Sequence, residues 1–97
     1  MKKLLCLLLL APSVAFADAT IAQKGRRFIP AEITIARGAR LTFTNNDEFI
    51  HQIYVTGLFD SDERMPGQTL VEDFPSAGIF EVRCHIHPKM KLVVRVN

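Results

Sequence analysis

The chain has 97 residues, with 12 Lys and Arg against 10 Asp and Glu and a formal charge of +2. That balance lacks the basic surplus with which a nucleic-acid binder neutralises phosphates. The length has room for one small domain.

The chain opens with the basic start Met1-Lys2-Lys3, an apolar run from Leu4 to Leu10 and an A-x-A-like end at Ala15-Phe16-Ala17. This pattern predicts a secretory signal peptide over residues 1–17, cleaved after Ala17. Pro12 and Ser13 interrupt the run, which is too short to span a bilayer. Cys6 lies inside it and does not read as a lipid-attachment site. The remaining domain, residues 18–97, has ten cations and ten anions, so its formal charge is zero. Export to the periplasm is the expected destination.

Cleavage would leave Cys84 as the single cysteine of a protein sent to an oxidising compartment. It can form no intramolecular disulfide, and it needs protection by burial or by a metal. A domain of about 80 residues buries only about 60–65% of its unfolded surface, so a bound metal would also add stability.

Beyond the leader, the recurring pattern is alternation with period two, which predicts strands. The segment Thr20 to Gln23 is read as part of a first strand, with Phe28 and Pro30 in an irregular stretch after it. Ile33 and Ile35 alternate with polar neighbours, and Arg37-Gly38-Ala39 reads as a turn. Leu41 and Phe43 continue the pattern, and His51, Ile53 and Val55 share one strand face. From Thr56 to Gln68 the alternation breaks into a surface excursion with room for one helical turn. Gln68 to Phe74 is a further strand, and Pro75-Ser76-Ala77-Gly78 a turn. Phe80, Val82 and Cys84 then lie on one face, and Met90, Leu92, Val94 and Val96 line the last strand. No stretch carries a sustained helical stripe. The expected fold class is all-β, a sandwich.

The chemistry gathers near the C-terminus. Cys84-His85-Ile86-His87-Pro88-Lys89-Met90 holds a thiolate, two imidazoles and a thioether within seven residues. Cys84, His87 and Met90 follow the spacing Cys-x-x-His-x-x-Met in a tight loop between two strands. A soft thiolate, an imidazole and a weak thioether suit copper, and a second imidazole would complete a His₂Cys set with an axial Met. Outside this loop the only other histidine is His51, directly after the polar run Asn45-Asn46-Asp47-Glu48. The expected metal ligands are therefore His51, Cys84, His87 and Met90. His85 follows Cys84 directly, so strand geometry would turn it away from the metal. Arg26, Arg27 and the acidic run from Asp60 to Glu63 read as solvated surface, and Phe49 and Met65 carry no assigned role.

These residues carry a resemblance. Phe43-Thr44-Asn45-Asn46 with His51, then Phe80-Glu81-Val82-Arg83-Cys84 and Cys84-x-x-His87-Pro88-x-Met90, resemble the cupredoxins, the blue copper proteins. The plastocyanin, pseudoazurin and amicyanin branch is the nearest, and the loop spacing is the short one typical of amicyanins. The resemblance implies a Greek-key β-sandwich with one type 1 copper that carries single electrons. It also implies that the exposed edge of His87 is the electron port, here framed by Ile50, Ile86 and Pro88 with Lys89 at the rim to orient an acidic partner. The implied partners are periplasmic redox proteins, a cytochrome c or a dehydrogenase or oxidase, met through weak transient contacts. Two departures stand out: Gln52 occupies the place of a family Asn that links the ligand loops, and the stretch from His51 to Cys84 is short. Ile86, where a proline would have no N–H, is expected to direct its N–H at the Cys84 sulfur.

A copper carrier that delivers metal without cycling electrons is the competing reading, although such proteins are often rich in exposed methionine. A thiol enzyme built on Cys84 lacks any visible oxyanion-hole motif. Zinc does not suit Met as a ligand, and the Cys-x-x-Cys-His motif of haem attachment is absent.

Overall fold

The computed structural model describes residues 15–97. The expected leader therefore falls almost wholly outside the described residues. Eight strands follow one another: β1 (Phe16–Gln23), β2 (Phe28–Ile29), β3 (Glu32–Asn45), β4 (Ile53–Val55), β5 (Phe59–Asp60), β6 (Thr69–Asp73), β7 (Gly78–Cys84) and β8 (Lys91–Val96).

One strand organises the rest. The first part of β3 runs parallel to β8, with Glu32 to Ile35 facing Val93 to Val96. Its second part lies between β1 and β6, parallel to one and antiparallel to the other. Arg37-Gly38-Ala39 is thus no chain reversal but the place where a single strand leaves one set of partners for another. Against β1 the register jumps there, since Phe16 pairs with Ile35 and Asp18 with Arg40. Gly38 takes a φ of 86°, a conformation that costs little only without a Cβ. Its N–H donates to the Phe74 carbonyl at 2.8 Å, and the Phe74 N–H donates to Ala39 at 3.0 Å, which ties the bend to the end of β6.

The alternation predicted from sequence survives the bend. Ile33, Ile35, Ala39, Leu41 and Phe43 are all buried, as are Val82, Cys84, Leu92, Val94 and Val96 on β7 and β8. Aromatic side chains join the two halves. Phe43 lies 6.3 Å from Phe28 of β2 and 6.3 Å from Phe59 of β5, and Phe74 meets both Phe59 and Phe80. Burial at this density is the main favourable term in the fold.

Two predicted details differ. The stretch from Thr56 to Gln68 contains no helical turn; it holds the short β5 and a backbone bridge between His51 and Arg64. Phe28, read as irregular, pairs with Gln23 in a β1–β2 hairpin. The hairpin turn is closed by reciprocal backbone hydrogen bonds between Lys24 and Arg27. Both elements are too short for period two to register in a sequence.

Candidate metal centre

Three elements deliver the predicted residues to one end of the fold. Cys84 is the last residue of β7, opposite Ile53 of β4. His51 precedes β4 and is fixed by paired backbone hydrogen bonds with Arg64, at 3.0 and 2.7 Å. His87 stands in the loop between β7 and β8. That loop is closed at its base by the Met90 N–H donating to the His87 carbonyl at 3.0 Å, and Met90 itself is buried.

The ligand atoms form a small triangle. Cys84 Sγ lies 3.7 Å from His51 Nδ1 and 3.8 Å from His87 Nδ1, and the two Nδ1 atoms are 3.2 Å apart. A triangle with these edges has its centre about 2.1 Å from every corner, close to the length of a metal–nitrogen bond and slightly under that of a metal–sulfur bond. His51, Cys84 and His87 thus fit a single ion on the chemistry and spacing of their donor atoms.

The protonation pattern points the same way. His51 is fully buried, and its Nε2–H donates to Asp47 Oδ2 at 3.0 Å. That bond fixes the tautomer and turns the Nδ1 lone pair toward Cys84 and His87. Burial works against the Asp47 carboxylate. Hydrogen bonds from the Arg26 N–H, the His51 ring and the Glu48 N–H outweigh it and hold its pKa below the ordinary carboxylate value. For His87, desolvation, then the neighbouring His51 and Arg26, push the pKa down against an opposing pull from Asp47. The neutral imidazole that results is the form a metal binds.

Asp47 was not singled out by sequence reasoning. Its place four residues before His51, in a run of polar residues, looks like solvated loop. Asn45 carries a comparable role. Fully buried, it donates through Nδ2 to the carbonyls of Phe49 and Arg64, both at 2.9 Å, and accepts the Asp47 N–H at 2.9 Å. One side chain thereby shapes the segment that carries both Asp47 and His51.

Several surface residues also take definite places. Phe49, 39% exposed, meets the His87 ring edge-on at 5.8 Å, and the Arg26 guanidinium lies 4.9 Å over the Phe49 ring. Met65 is exposed. Ile86, Pro88 and Lys89 are exposed beside His87, while Ile50 is half-buried. His85 points away from the triangle as predicted. Its ring stacks on Tyr54 at 4.1 Å and bonds Asp60 at 2.9 Å. The two ligand loops are joined by the backbone, with the His85 N–H donating to the Gln52 carbonyl at 2.8 Å. That bond uses a backbone carbonyl and does not depend on the Gln52 side chain. The expected Ile86 contact is not formed. Among the described residues, the polar atoms in hydrogen-bonding range of Cys84 Sγ are the two imidazole Nδ1 atoms.

No family model matches the chain. No curated protein matches it either. Solved structures do. A purple cupredoxin from Nitrosopumilus maritimus superposes with a TM-score of 0.77 at 24% identity, over 82% of this chain and all of that one. A reduced Cu(I) form of an amicyanin variant gives 0.77 at 20% identity, over 88% of this chain and 87% of the other. A copper-containing nitrite reductase from Thermus scotoductus gives 0.75 at 25% identity over 90% of this chain, which spans only 24% of that enzyme. With TM-scores of 0.77 over 82–88% of this chain and 87–100% of two of the matched structures, this chain has the cupredoxin fold.

Proposed function

We propose that this chain is a small exported type 1 copper protein that carries single electrons between redox partners and has no catalysis of its own. The observation that carries this reading is the triangle of two imidazole nitrogens and one cysteine sulfur, with edges of 3.2 to 3.8 Å. Copper bound there would supply a one-electron Cu(I)/Cu(II) couple.

The protein's part is to hold the donors still. Cys84 is fixed by the β4–β7 ladder, His51 by Asp47 and the bridge to Arg64, and His87 by the turn that Met90 closes. Met90, buried at the base of that loop, would be the fourth residue to hold the metal. A site already held in shape changes little when an electron arrives or leaves. His87 is half-buried among exposed Phe49, Ile86 and Pro88, which makes its edge the place where a partner approaches closest. The leader over residues 1–17 would direct the chain to the periplasm, where redox proteins such as a cytochrome c, a dehydrogenase or an oxidase are its partners. Among the described residues no helix is long and apolar enough to cross a membrane.

The test is to add Cu(II) to the purified protein and to record visible and electron paramagnetic resonance spectra. An intense thiolate-to-copper band with narrow hyperfine splitting, bleached reversibly by reductant, is expected. A colourless protein that still binds Cu(I) would replace this reading with that of a copper carrier.

A further inference from the structure

Of the ten cations from Lys24 onward, Arg40, Arg83 and Arg95 each face a carboxylate, on Asp18, Glu81 and Glu32. Lys24, Arg26, Arg27, Arg37, Arg64, Lys89 and Lys91 have no carboxylate within ion-pair distance among the described residues. Four of these seven, the exposed Arg26, Arg27, Lys89 and Lys91, are neighbours. Arg26 and Lys89 line a groove of about 380 Å³ with Ile86, His87, Pro88 and Met90. Arg27, Lys89 and Lys91 line a second, of about 280 Å³, with Phe28, Ala31 and Met90. The two grooves adjoin through Lys89 and Met90, and no carboxylate lines either.

The domain from Asp18 onward is neutral, so this concentration of positive charge is local and is compensated elsewhere on the surface. Unpaired like charges around one groove repel one another, and an anionic surface placed against them relieves that repulsion. The groove is not a purely ionic strip, because Ile86, Pro88 and Met90 supply apolar side chains between the cations. A phosphate polymer would find few apolar contacts of its own to place there, whereas a protein surface offers carboxylates and apolar groups together.

Arg26 is set in advance. Its backbone takes a φ of 57°, its N–H donates to Asp47 Oδ2 at 2.7 Å, and its guanidinium rests over Phe49. A side chain held this way loses less freedom when a partner docks. We propose that the groove from Arg26 to Lys91 is the docking surface for an acidic protein partner, whose carboxylates seat on Arg26, Arg27, Lys89 and Lys91 beside the His87 edge. Its role in electron delivery rests on the copper-carrier-of-electrons reading above; the binding itself requires no metal.

The experiment is a titration of isotope-labelled protein, purified after export, with a decaglutamate peptide at low ionic strength, followed by amide chemical shifts. It is run copper-free and copper-loaded. Shift changes confined to Arg26, Arg27 and Ile86 to Lys91, fading with added salt, are expected. The pair Arg27→Glu with Lys91→Glu should weaken binding about tenfold, and Arg95→Glu, outside the groove, should change it little. Absent binding, shifts spread over the surface, or an equal loss with Arg95→Glu would overturn the proposal. So would binding of phosphatidylglycerol vesicles through these residues without binding of the peptide. A type 1 spectrum without peptide binding sinks the groove and leaves the electron carrier standing. Peptide binding without such a spectrum does the reverse.

Discussion

Asp47 and His51, four residues apart and both buried, share a 3.0 Å hydrogen bond that directs the free nitrogen of the imidazole toward Cys84. The same carboxylate oxygen accepts the Arg26 N–H at 2.7 Å, so the β1–β2 turn and the ligand loop are anchored to one atom. Partners that orient a ligand imidazole are typically worth about 10–100-fold in metal affinity. Asp47→Ala should lower copper affinity by about that factor, and Asp47→Asn, which keeps an acceptor, by less. Competition with a chelator of known affinity measures both. Equal affinities for the two variants and the parent would show that the loop holds His51 without this carboxylate.

Asn45 is expected to matter for folding more than for the metal. Replacing it by Ala leaves the part-buried Phe49 carbonyl and the buried Asp47 N–H without their partner, and removes one of two donors to the Arg64 carbonyl. Buried groups left unsatisfied cost about 1–3 kcal/mol each, so Asn45→Ala should destabilise the metal-free protein by about 2–4 kcal/mol. Urea denaturation followed by circular dichroism reads this directly. A loss under about 0.5 kcal/mol would mean that water replaces the side chain.

These two residues also show where the sequence stops being legible. The proposed ligands were legible because thiol, imidazole and thioether donors are rare and crowd into one short segment, and the structure brings His51, Cys84 and His87 together. The strands could be found because period-two burial is written in residue type, as in Ile33 to Phe43. Asp47 and Asn45 belong to types that ordinarily face water, and only the packing of β1 and the Arg64 segment over them makes them internal. Phe49 and Arg26 escaped notice for the converse reason. Each is unremarkable alone, and their relation to His87 exists only once the β1–β2 turn is brought 21 residues back onto the ligand loop. Arg37-Gly38-Ala39 has the composition of a turn, and a turn and a bend between two sets of strand partners both call for a positive φ at glycine.

That bend can be tested apart from any side-chain contact. No atom lies within 4 Å of where a Cβ on Gly38 would stand, so Gly38→Ala meets no clash and its cost is that of the φ of 86° alone. A left-handed conformation costs an L-residue about 1–2 kcal/mol, which is the destabilisation expected from equilibrium unfolding. The copper spectrum should be unchanged, because the bend lies at the end of β6 and not at the ligand loops. A neutral Gly38→Ala would show that β3 can cross between its partners with ordinary backbone angles.

Glu72 on β6 is half-buried, and desolvation followed by the adjacent Asp73 carboxylate pushes its pKa above 4.5, with Arg64 opposing. A carboxyl whose folded pKa is raised binds its proton more tightly in the folded state. Its stabilising contribution is therefore complete below 4.5 and is lost as pH rises through the folded pKa. At neutral pH the charged Glu72 is a liability that Gln, which cannot ionise, does not share. Glu72→Gln should raise the Tm of the metal-free protein at neutral pH by a few degrees, on the order of 0.5 kcal/mol, and this gain should vanish near about pH 4. Calorimetric scans of both proteins across that range check the sign. A Tm difference that does not change with pH would place the effect in packing or strand propensity and leave no part of it to the charge.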